Sequence, residues 1–222
     1  MHNSLDNLIE IKKEIQLNIN DESDSTVKYP KIIAVTKTHP MTSILPLINY
    51  GHLDYGENKV QEAIEKWQNT KTDFKNLNLH MIGKLQSNKV KYAISIFDYI
   101  HSLDSLKLAE KISSEQKKIN KKLKIFIQIN IGNEDQKSGI DEDQLGDFYK
   151  KCIQDLNLDI VGLMCLPPKD ENSENYFLKM KNLAKKIEVS ELSMGMSNDY
   201  LKATRSGATF LRIGSKIFGK RT

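Results

Sequence analysis

The sequence predicts an α/β fold, a single TIM-type (β/α)8 barrel preceded by one extra helix. Three observations predict it. Strand-like and helix-like patterns alternate along almost the whole chain. The strand-like runs KIIAV, KIFIQINI and DIVGLM are apolar at consecutive positions, as in a parallel sheet covered by helices. A length of 222 residues suits one such barrel and one sizeable core. The expected organisation is one domain over 1–222, with a helix and linker over 1–28 and the barrel over 29–222.

Each element follows from local pattern. Leu5, Leu8, Ile9, Ile11 and Ile15 recur near helical spacing from Ser4 to about Asn18, and the polar run DESDS breaks that helix. KIIAVTK reads as the first strand, and THPMTSILPLINYG as a helix entered after a proline and stopped at Gly51. The alternation then continues with LDYG and NKVQEAIEKW, LHMIG and SNKVKYAISIF, YIHSL and DSLKLAEKISSEQKK, KIFIQINI and DEDQLGDFYKKCIQ. It closes with DIVGLMCL and ENYFLKMKNLAKKI, ELSMG and SNDYLKATRSG, TFLRIG and SKIFG, making eight units. An open doubly wound sheet would show the same alternation.

Composition excludes several classes. With 33 basic and 29 acidic residues and a net charge of +4, no field of one sign points to nucleic acid. The lysines of KKEIQ, KKINKKLK and LKMKNLAKK fall on helices beside acids and read as solvated faces. The start MHNSLDNLIEIKKEI lacks a signal core and no run of about 18 apolar residues occurs, so the expectation is a cytoplasmic protein with no membrane association. Cys152 and Cys165 read as reduced thiols, with Cys165 in the core. His39, His52, His80 and His101 lack metal-ligand spacing, so no metal is expected. GMSND and IGSK match neither a nucleophile elbow nor a Walker loop.

In a barrel, residues at the carboxyl ends of strands face the ligand mouth. Lys37 ends the first strand after Ile32, Ile33, Ala34 and Val35, where an apolar floor would desolvate its ammonium and free an amine able to attack an aldehyde; the alternative is an exposed strand-end lysine. RIGSKIFG runs through Gly214 into a short helix whose first N–H groups, at Ser215 and its neighbours, could hold a phosphate, with Ser197 adding a hydroxyl; alone, a Gly-Ser turn is a helix start. Arg212 lies mid-strand and needs an acceptor inside the barrel, either a ligand ring nitrogen or an inward acid such as Glu57. Asn58 either reaches the ligand or caps the helix that follows.

Taken together, IAVTKTHP, YGENKVQEA, HMIGKLQSNK, GLMCLPP, LSMGMSND and RIGSKIFG closely resemble the pyridoxal phosphate homeostasis proteins, the YggS or PROSC family, related to the barrel of bacterial alanine racemase. The resemblance runs from about Lys31 to Arg221. It implies pyridoxal 5′-phosphate (PLP) held as a Schiff base on Lys37, its phosphate on Ser197 and the Gly214–Ser215 backbone, Arg212 at the pyridine nitrogen and Asn58 as a further contact. It implies a monomeric carrier that buffers PLP and delivers it to apo PLP-dependent enzymes, with no catalytic residue assigned. Lys84 adds a charge near the expected mouth, and surface lysines such as Lys137 are candidates for a second PLP. The competing readings are a PLP-dependent enzyme acting weakly on small amino acids and an ordinary phosphate-ligand barrel. No counterpart of the racemase's added β-domain, with its catalytic tyrosine, is expected, and because racemisation needs a second acid/base, strong racemase activity is not expected either.

Overall fold

Eight strands pair in parallel and in chain order, β8 returning to β1 to close the barrel. They are β1 (Lys31–Val35), β2 (Asp54–Glu57), β3 (Asn78–Met81), β4 (Tyr99–Leu103), β5 (Lys124–Ile129), β6 (Asp159–Cys165), β7 (Glu191–Met196) and β8 (Phe210–Ile213). The computed structural model describes residues 3–20, 28–134, 138–168 and 173–219. Every strand-like run of the sequence is a strand, and the closed barrel displaces the open-sheet alternative.

The helices are α1 (Ser4–Asn20), α2 (Met41–Asn49), α3 (Val60–Asp73), α4 (Val90–Ile96), α5 (Leu106–Ile119), α6 (Leu145–Lys150), α7 (Ser173–Lys186), α8 (Tyr200–Arg205) and α9 (Ser215–Phe218). Two differ from the sequence reading. The helix expected from Ser87 starts as a tight 3-10 turn over Ser87–Lys89. The one expected from Asp141 starts at Leu145 and ends in a wide π turn over Lys151–Asp155.

Strand residues alternate between two surfaces. One set packs outward under the helices, where Ile32, Ala34, Tyr55, Leu79, Ile125 and Leu211 join the main core. The other fills the interior, where Ile33, Tyr99, Phe126, Met164 and Phe210 form a separate apolar cluster. Both cysteines are buried and unpaired, and burial pushes each thiol up to about 12. Helix α1 packs against α2, α8 and α9. Its Asn7 amide donates to the Ile217 carbonyl at 2.8 Å, and its Glu14 carboxylate accepts from Lys216 Nζ at 2.6 Å and from the Tyr200 hydroxyl. The extra helix therefore braces the turn after β8.

Candidate functional site

A cavity of about 750 Å3 opens at the carboxyl ends of the strands. Its lining includes Lys37, Asn58, Ser197, Arg212, Gly214 and Ser215, so the six residues that the resemblance implies as cofactor contacts meet in one place. The cavity is within the size range of small-molecule sites.

Lys37 does not end β1, which stops at Val35; it is half-buried in the turn that follows. Thr36 holds that turn. Its N–H donates to the Gly56 carbonyl at 3.0 Å, and its hydroxyl donates to Glu57 Oε1 at 2.7 Å. Helix α3 adds Lys66, whose ammonium donates to the Thr36 carbonyl at 2.8 Å and to Glu57 and Glu62, each at 3.0 Å. Glu62 accepts the Thr38 N–H at 2.5 Å. Burial favours the neutral acid at Glu62, but the Thr38 and Lys66 hydrogen bonds outweigh it and hold the carboxyl below its usual range. Buried Glu57 also accepts from Trp67 Nε1 at 2.9 Å. Strand β2 and helix α3 thus fix the backbone on both sides of Lys37.

Asn58 follows β2 and lines the cavity. It does not cap α3: the residue at the cap is Lys59, with no side-chain cap bond. Its Oδ1 is buried and finds no hydrogen-bond partner among the described residues. Gly83 makes this placement possible, since a Cβ there would fall 2.4 Å from the Asn58 carbonyl oxygen.

Ser197 is brought in by a strand irregularity. The β7–β8 register shifts between Ser193 and Met196, and Gly195 takes φ +86° with its missing Cβ facing Ala203. Ser197 Oγ accepts from the Gly214 N–H at 3.3 Å and the Lys216 N–H at 3.2 Å, gathering a hydroxyl and the amides of the β8–α9 turn. Ser215 sits exposed at the same mouth. Lys84 is exposed and does not line the cavity. Lys137 lies outside the described residues.

Arg212 is 4 % exposed, and the proposed ion pair with Glu57 does not form. The guanidinium instead donates from Nη1 to Ser193 Oγ at 2.7 Å and from Nη2 to the Cys165 carbonyl at 2.8 Å. Both partners are neutral, and no carboxylate among the described residues pairs with it. Of the five N–H donors of a guanidinium, three are left for a ligand or solvent. Burial lowers the pKa of this arginine, with partial opposition from Cys165 and Asp199.

Sequence reasoning missed a polar column beneath this site. His80 and His101 are fully buried, and Ser193 lies between His101 and Arg212. The signal was the two-residue period: His101 shares a strand face with Tyr99, and Ser193 stands two before Gly195 in a strand that leads to the mouth.

Fold and site together define a ligand-binding α/β barrel with its donors at the strand carboxyl ends. The chain belongs to the family described as alanine racemase, N-terminal domain, whose model matches residues 12–222. The pyridoxal phosphate homeostasis protein of Haemophilus influenzae is 38% identical over 97% of this chain and 94% of that protein. The one from Aquifex aeolicus is 37% identical over 86% of this chain and 87% of its own length. PipY of Synechococcus elongatus, solved without PLP and with PLP bound, is 32% identical, with TM-scores of 0.81 and 0.80; the PLP-free structure covers 94% of this chain and 100% of PipY. An alanine racemase of Clostridium difficile, 18% identical with a TM-score of 0.69, shares the fold, and this chain covers 57% of its length.

Proposed function

We propose that this protein binds PLP at the barrel mouth and serves PLP homeostasis, holding the reactive aldehyde and releasing it to apo PLP-dependent enzymes. The observation that carries the reading is the convergence of Lys37, Asn58, Arg212 and the Ser197–Gly214 cradle on one cavity. The residues fit the cofactor's chemistry. The hydroxyl and amides around Ser197 suit a phosphate, the spare donors of Arg212 suit a pyridine nitrogen, and the orphaned Asn58 oxygen suits a donor on the ligand.

In this reading Lys37 supplies the amine for a C=N bond to the cofactor aldehyde, whose oxygen leaves as water. Bound PLP supplies an electron sink for carbanions at an amino acid's α-carbon. Arg212 weakens that sink, because a guanidinium donates to the ring nitrogen and leaves it unprotonated. The site then favours holding over turnover, which supports a carrier above an amino-acid enzyme. The protein acts as a monomer, which sedimentation tests. No described helix is long and apolar enough to cross a membrane.

The test is visible absorbance of the purified protein with added PLP, followed by borohydride reduction and peptide mapping. The expected adduct is on Lys37, and Lys37→Ala removes it while leaving the thermal transition in place. A trapped adduct that persists unchanged in Lys37→Ala would overturn the attachment, and a wild type that takes up no PLP would overturn the reading. Saturable turnover of a small amino acid at a useful rate would decide for the enzyme.

A further inference from the structure

Beneath the cavity, five side chains from five strands form a continuous hydrogen-bonded column. Arg212 Nη1 donates to Ser193 Oγ at 2.7 Å, and Ser193 Oγ lies 2.8 Å from His101 Nδ1. His101 Nε2 lies 3.0 Å from His80 Nδ1, and His80 Nε2 lies 3.1 Å from Asp54 Oδ1. Asn78 Nδ2 also donates to that carboxylate oxygen at 3.1 Å.

Only one assignment of protons satisfies every link with Asp54 ionised and both imidazoles neutral. An ionised Asp54 accepts only, so His80 carries its proton on Nε2 and presents a bare Nδ1. His101 must then donate from Nε2, which leaves its Nδ1 bare. Ser193 therefore donates its hydroxyl proton to His101 and turns its lone pairs to the guanidinium. Arg212 is a donor only, so a serine proton pointing the other way would meet an N–H.

The surroundings keep the column in that state. His101 stacks on Phe126 and His80 on Tyr99, with ring centroids 4.2 and 4.3 Å apart, and Phe210 packs against both histidines. Burial lowers both imidazoles; Asp54 and Asp98 oppose this at His80 while Lys31 assists, and at His101 the neighbouring His80 and the Arg212 guanidinium each disfavour a second charge.

We propose that His101 is the positioning residue for Arg212. By accepting the Ser193 hydroxyl it fixes the guanidinium between Ser193 and the Cys165 carbonyl, so that the spare N–H groups address the ligand's ring nitrogen; His80 and Asp54 hold His101 in the required tautomer. This rests on the PLP reading of the cavity.

The experiment measures PLP affinity by absorbance titration and the pyridine resonance of PLP labelled with 15N at the ring, in wild type, His101→Phe, His101→Asn and Ser193→Ala. Phenylalanine keeps the stack on Phe126 and loses the acceptor. Asparagine loses the ring and keeps an oxygen near the place of Nδ1. His101→Phe and Ser193→Ala are expected to weaken binding roughly tenfold, the loss of about one hydrogen bond to a charged group, and to move the 15N resonance in the same direction. His101→Asn is expected to restore both. If His101→Phe fails to fold, Ser193→Ala carries the test. A wild type that takes up PLP while Ser193→Ala leaves both readouts unchanged overturns this inference alone. So does the reverse order, His101→Phe normal and His101→Asn weak, which marks a packing role. A wild type that takes up none overturns the functional reading itself.

Discussion

Lys66→Ala tests how the turn carrying Lys37 is held. Glu57 is fully buried, and the side chain of Lys66, its ion-pair partner at 3.0 Å, is 11% exposed. Removing one partner of a buried pair leaves a charge without compensation and costs roughly 3–5 kcal/mol. Thr36 and Trp67 still donate to Glu57, so the lower end applies, about 3 kcal/mol. In a chain of this size that corresponds to a fall of roughly 6–12 °C in Tm. The assay is thermal and urea unfolding of the ligand-free protein, since bound ligand would add its own stabilisation. Lys111→Ala, which breaks an ion pair whose lysine is 42% exposed, should leave the midpoint in place. Adding Glu57→Gln to Lys66→Ala should recover much of the loss, because the stranded charge is gone. A fall below about 2 °C, or a Glu57→Gln effect that simply adds, would refute the buried-charge argument. The same variant frees the Thr36 carbonyl, so its PLP uptake should also weaken.

Three further outcomes follow from particular atoms. Gly195→Ala forces a side chain to φ +86° with its Cβ 2.5 Å from Ala203 Cβ, and should cost about 2–3 kcal/mol in urea unfolding and reduce PLP binding through Ser197. Gly146→Ala, in α6 with nothing within 4 Å, should be neutral or slightly stabilising in the same assay. Acid should destabilise the fold early: burial holds His52 at about 4 against an ordinary 6.5 and lowers His80 and His101 as well. The unfolded chain takes up these protons first, so stability is full above about pH 6.5 and declines toward pH 4, by about 3 kcal/mol for His52 alone. A urea midpoint unchanged between pH 7 and pH 5 would contradict it.

Strands such as β1, β5 and β6 were legible because KIIAV, KIFIQI and DIVGLMC are short runs rich in apolar residues, and a parallel sheet under helices needs no alternation to be recognised; the less apolar DYGE and NLHM were placed by the alternation around them. The six mouth residues were legible for a related reason: barrel chemistry gathers at strand ends, and strand ends can be counted. The proposed pairing of Arg212 with Glu57 failed on a rule the sequence already contained. Successive strand residues face opposite ways, so if Asn58 looks into the mouth, its neighbour Glu57 looks out at the helices, where Trp67 and Lys66 meet it. Applied to YIHSL and TFLRIG, the same rule puts Tyr99 with His101, and Phe210 with Arg212, on the inner face. What the rule cannot supply is the register between strands. His80 and His101 are 21 positions apart, and His101 and Ser193 are 92 apart. Closure sets the heights at which inner residues of different strands meet, and only there do two ordinary-looking core histidines become a directed column ending on the buried guanidinium of Arg212 at the mouth.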